Sequence, residues 1–121
     1  FALNSDQLQP EGRQLLKTLA APLAAYLGAR EEMLMVSGFT DDRPVLGSNR
    51  QFADNLELSA QRALTVTRAL IEAGLPSDAI FAAAFGPQQP VASNDDAAGR
   101  ARNRRVEMAP VPKTARSKPE A

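Results

Sequence analysis

Asn55, Ser59 and Arg62 stand at i, i+4 and i+7 in a segment whose apolar residues recur with a helical period, so the three polar side chains share one stripe of a predicted helix. Upstream, Thr40 and Asp41 follow a short apolar run that reads as a strand. Layered α/β folds leave a crevice at the carboxyl ends of their strands. A carboxylate rooted there and a guanidinium on the next helix can bracket a small group that carries both charges. Arginine offers a planar fork to a carboxylate and aspartate accepts from an ammonium, so the pair selects the end of an α-amino acid over a simple acid or amine. The helix start adds backbone N–H donors. The same residues also admit a plainer reading, in which Asp41 and Arg62 form a structural ion pair and Asn55 caps the helix.

Two other clusters carry weaker signals. Arg100, Arg102, Arg104 and Arg105 surround Asn103. Fourteen basic residues balance fourteen acidic ones, with no Trp and one Tyr, which argues against nucleic acid as partner. These arginines can lie over a sheet edge, pair with Asp95, Asp96 or Glu107, or send one member into the crevice as a second anion contact. Asp41, Asp42 and Asp54 lack the spacing of a hard-cation loop, so no metal is expected. Cysteine and histidine are both absent, which removes thiolate nucleophiles, imidazole bases and the commonest zinc ligands. No cofactor and no catalysis are expected.

The elements that must position this site follow from patterning. The chain has 121 residues, 44% of them hydrophobic and 23% charged, which suits one small domain. Phe1 to Asn4 reads as the end of a strand, and the chain reads as excised from something longer. Leu15, Leu16, Leu19, Leu23, Tyr26 and Leu27 mark an amphipathic helix after Pro10, with a kink or break expected at Pro22 and an end at Gly28. Met33 to Phe39 forms the next strand, and Thr40 to Asp54 a long loop. A helix opens near Asn55, capped by Asp54 or Asn55 with Glu57 completing a capping box, and stops at Gly74. Ile80 to Phe85 is a further strand, Gly86 to Gly99 is turn-rich, and Val106 with Met108 belongs to a half-buried last strand. A Pro/Lys/Arg-rich tail over 110–121 is expected to stay loose. No stretch is apolar for long enough to span a bilayer.

Four runs carry a family resemblance: Ser37-Gly38-Phe39-Thr40-Asp41-Asp42-Arg43-Pro44; Asn55-Leu56-Glu57-Leu58-Ser59-Ala60-Gln61-Arg62-Ala63; Gly86-Pro87-Gln88-Gln89-Pro90 through Asn94; and Gly99-Arg100-Ala101-Arg102-Asn103-Arg104-Arg105-Val106-Glu107. In this order they resemble the OmpA-like peptidoglycan-binding domain over residues 1–109, with wording nearest the MotB flagellar stator branch. The resemblance implies an α/β (α+β) two-layer sandwich, β-α-β-α-β-β, with a small mixed sheet, helices on one face and an antiparallel final strand. It implies a partner, peptidoglycan, held through the diaminopimelate end of its stem peptide by Asp41 and Arg62. Thr40, Asn55, Leu58 and Ser59 match neighbouring groove positions, and Arg104 is the expected contribution of the last run. The implied setting is periplasmic, within a cell-envelope protein held to a membrane by segments outside this chain. The motif histidine is Phe39 here, which removes an imidazole contact. The competing reading is a protein–protein interaction or homodimerisation module with a vestigial crevice.

Overall fold

The computed structural model describes residues 5–45 and 52–113. Its elements run α1 (Pro10–Arg30), β1 (Glu32–Phe39), α2 (Asn55–Glu72), a single 3₁₀ turn (Ser77–Ala79), β2 (Ile80–Gly86), α3 (Ala97–Asn103) and β3 (Val106–Pro112). The sheet is mixed, in the order β2-β1-β3. β1 pairs in parallel with β2 and antiparallel with β3. The strand expected over Phe1 to Asn4 lies outside the described residues.

Leu34 and Val36 of β1 alternate onto one sheet face. There they meet Leu16, Ala20 and Leu27 of α1 and Ala63, Val66 and Leu70 of α2 in a single buried cluster. Both long helices therefore cover the same face, and α2 is the crossover between the parallel strands β1 and β2. α2 begins as its sequence predicts: Asp54 accepts the Glu57 N–H at 2.9 Å, and Glu57 reaches back to the Ala53 N–H at 3.2 Å.

Several boundaries differ from the sequence reading. α1 runs unbroken through Pro22, which its own helical neighbours and the packed stripe on either side tolerate. It continues past Gly28 to Arg30, and Glu31 adopts the left-handed conformation (φ 50°, ψ 49°) that ends it, donating to Leu27 O. The segment read only as turns contains α3, opened by Asp96, whose side chain accepts the Gly99 N–H at 2.6 Å. β3 runs through Pro112, so the loose tail does not start at residue 110. The reason lies in strand parity. Lys113 donates to Glu31 O, placing the odd-numbered N–H groups toward β1, so Pro110 and Pro112 lose only donors that face away from it. Residues 114–121 lie outside the described set.

Candidate ligand-binding site

The site forms where β1 and β2 end together. Gly38 lets α2 press against the strand: a Cβ there would lie 1.9 Å from the Ser59 carbonyl oxygen. That approach lets Ser59 Oγ accept the Gly86 N–H at 3.0 Å while donating to Leu56 O at 2.8 Å. Thr40 N donates to Gly86 O at 2.8 Å. The two strand ends and the first turns of α2 are thereby fixed to one another.

Asp41 follows immediately and is only 2% exposed. Its Oδ1 accepts the Arg43 N–H at 3.0 Å, and its Oδ2 forms an ion pair with Arg104 Nη1 at 2.8 Å. Arg62 is wholly buried, donating from Nε to Ser5 O at 2.8 Å and from Nη1 to Phe39 O at 3.2 Å. Burial pushes its pKa down to about 10, helped by the nearby positive charge of Arg104 and opposed by Asp41 and Asp6. It therefore keeps its charge at neutral pH. The structure brings Asp41, Arg62 and Arg104 to one strand end. Asp41 pairs with Arg104 and also lies in the field of Arg62, so its carboxylate is shared between two guanidinium fields.

The remaining expected site residues serve the frame of this arrangement. Thr40 Oγ1 donates to Asp41 O at 2.8 Å. Asn55 does not cap α2, since Asp54 does. Its Nδ2 donates to Arg43 O at 2.9 Å and tethers the loop after β1. Leu58 is buried at 2% exposure and Ser59 is fully buried. Phe39, standing where the family motif has histidine, is buried beneath the Arg105 guanidinium (3.8 Å to the ring centroid) and meets Phe85 edge-on at 4.9 Å. An imidazole's polar position has become an apolar and cation–π contact.

The arginine cluster divides by partner. Arg104 takes Asp41, Arg105 takes Glu107 at 2.6 Å, and Arg100 donates to Asn94 O at 2.9 Å. Asn103, fully buried, accepts from the Val91 and Ala92 N–H groups and donates to Ala92 O and Asn94 Oδ1, stitching the 87–96 loop to α3. Beside the Asp41–Arg104 pair opens a hollow of about 180 Å³ lined by Arg43, Ala97, Arg100 and Arg104. Sequence reasoning offered Arg100 only as one member of the arginine cluster and missed Arg43 as a neighbour of the site. The only available signal was the Asp-Asp-Arg-Pro wording itself. Among the described residues no cluster of His, Cys, Asp or Glu could hold a metal ion, and no helix is long and apolar enough to cross a membrane.

Known proteins share this architecture. The model of the OmpA family matches residues 1–104. Outer membrane protein A of Bordetella avium is 38% identical over 108 residues, 89% of this chain and 51% of that protein. Peptidoglycan-binding protein ArfA of Mycobacterium tuberculosis is 35% identical over 108 residues, again 89% of this chain but 30% of that one. The C-terminal domain of Helicobacter pylori MotB superposes with a TM-score of 0.83 at 28% identity, covering 94% of this chain and 83% of that domain. The chain thus spans about half or less of the length of these full-length relatives. Matched from its first residues to the start of the last strand by one family model, and to these relatives across nearly all of its length, the chain belongs to the OmpA family.

Proposed function

We propose that this domain binds peptidoglycan without chemically altering it, gripping the diaminopimelate end of a stem peptide and so anchoring a periplasmic, membrane-tethered envelope protein to the wall. The observation that carries this reading is the convergence of Asp41, Arg62 and Arg104 at the carboxyl ends of β1 and β2, beside an open hollow. The similarity to ArfA, a peptidoglycan-binding protein, supports the same partner.

Asp41 already holds a cation, so a ligand ammonium that displaces Arg104 Nη1 from Oδ2 exchanges one charge-assisted hydrogen bond for another. A ligand carboxylate reaches the buried Arg62 only by taking the place of one of the carbonyls it now serves, Ser5 O or Phe39 O, with the displaced Arg104 able to join it. Thr40, Asn55 and Ser59 keep the strand end and helix start in register, and Leu58 fills the space beneath. A clamp of this size next to water yields a dissociation constant on the order of micromolar to millimolar, with retention supplied by many copies on a polymer.

Pull-down with purified sacculi tests the reading. Wild-type protein should sediment with diaminopimelate-containing wall and much less with wall that carries lysine at that position. Asp41→Asn and Arg62→Lys should lose the difference. Equal retention of wild type and both variants on diaminopimelate wall would overturn it.

A further inference from the structure

The hollow beside the clamp has a charge that a simple zwitterion does not match. Its lining is three arginines and one alanine, with no carboxylate. The acid behind it, Asp41, does not line the hollow and is engaged through Arg104 Nη1 and the Arg43 N–H. Arg104 also keeps a buried Nε with no acceptor, a donor of the kind that folded proteins seldom leave unmet. Arg100 donates to a neutral carbonyl, and Arg43 is exposed, held at its root by its own N–H on Asp41 and its carbonyl on Asn55 Nδ2. Among the described residues no ion pair neutralises either one.

An amino-acid end brings one positive and one negative charge, which Asp41 and Arg62 can meet alone. The excess of guanidinium in the hollow calls for a further anion on the same ligand, and planar forks favour a carboxylate. We propose that Arg43, Arg100 and Arg104 form a second subsite, which takes another free carboxylate of the clamped wall peptide and makes recognition sensitive to whether that carboxylate is amidated. This rests on the peptidoglycan reading above. Arg104 links the two subsites: when a ligand ammonium replaces it on Asp41, its fork becomes available to the second carboxylate, whose arrival compensates the lost ion pair. The ligand class is therefore an acidic stem peptide, discriminated from its carboxamide counterpart.

The test uses soluble diaminopimelate-containing stem peptides in two forms, with the carboxylates outside the clamped amino-acid end free or converted to carboxamides, titrated into wild type and Arg43→Gln/Arg100→Gln at low salt. Amidation should weaken wild-type binding about tenfold, as expected for loss of a charge-assisted contact to a carboxylate. The double variant should bind both forms equally, near the wild-type affinity for the amide. Amidation that weakens both proteins alike, or neither, overturns the second subsite and leaves the clamp standing. Failure of wild type to bind either peptide overturns the peptidoglycan reading instead. Inorganic phosphate that binds wild type more tightly than the acidic peptide, and loses this in the variant, would reassign the hollow to a phosphate and also overturn the proposal. Arg43→Gln alone, at an exposed side chain without a hydrogen bond, keeps the test open should the double variant not fold. It should reduce the amidation effect to about threefold.

Discussion

At the end of the sheet where α1 hands the chain to β1, the buried side chains are Leu27, Leu34, Leu70, Leu75 and Ile80, none more than 6% exposed. At the other end, where β1 and β2 stop, burial falls on Ser37, Thr40, Asp41, Ser59, Arg62 and Asn103. Both ends exclude water, and Phe39 and Leu58 bury apolar surface at the second as well, but the polar groups there gain nothing from it directly, since it is each fully buried apolar side chain that contributes roughly 1.5–3 kcal/mol. At the second end a guanidinium and a carboxylate have lost hydration, and carbonyls, a backbone N–H and Arg104 are among the groups that take its place. A fold selected for stability alone has no need of that end, which is why the polar end and not the apolar one marks the site.

Substitutions can break this contrast, and the largest effect belongs to the residue that joins the two ends. Gly38→Ala should cost more than about 3 kcal/mol in urea unfolding, because its Cβ would enter the Ser59 carbonyl and neither strand nor helix can yield alone. Leu70→Ala, at the apolar end, should cost about 2–5 kcal/mol while the protein that remains folded binds wall as before. Asp41→Asn should do the reverse, lowering wall affinity at least about tenfold with a stability change within about 1–2 kcal/mol. If stability and binding fell together in both, the division into two ends would be wrong.

A pH titration sharpens it further. The pKa of Arg62 is lowered on folding, so the folded protein binds fewer protons than the unfolded chain from about pH 10 upward, and this group's destabilising effect fades as pH climbs through that range. Affinity for a carboxylate ligand should therefore stay flat in this respect from pH 7 to 9 and begin to fall only from about pH 10, where the guanidinium starts to lose its charge. The smallest change is Gly28→Ala, on an exposed turn of α1 with no atom within 4 Å of the added Cβ. It should raise stability by about 0.5–1 kcal/mol and leave binding untouched.

What could be read from the sequence was whatever is local and periodic. The stripe Ala63, Val66, Leu70 with the Asp54–Glu57 box defines α2, and Leu34 with Val36 defines the central strand, because neighbours a few positions apart set both. α3 escaped because Ala-Ala-Gly-Arg-Ala-Arg-Asn has no apolar stripe. Its place depends on Asn103 stitching the preceding loop and on Gly99 passing so close to Ser93 that a side chain would collide. Prolines 110 and 112 suggested a tail because their compatibility with an edge strand depends on which way each N–H would have pointed. Asp41 and Arg62 could be reached from residue type and spacing and Arg104 through the family motif, but the partnership of Asp41 with Arg104 was not legible. It joins the second residue after one strand to the approach to another, and no spacing rule connects them.

That partnership spans 63 positions of the chain, and the contact from Arg62 to Ser5 spans 57. A pocket assembled from such distant positions is absent until the last strand has docked, so whatever fills it holds the entire domain and not one loop. Even a weakly held polymer, present at about a hundred times its dissociation constant, would then add about 2.7 kcal/mol against global unfolding. Attachment to the wall would itself protect the folded state.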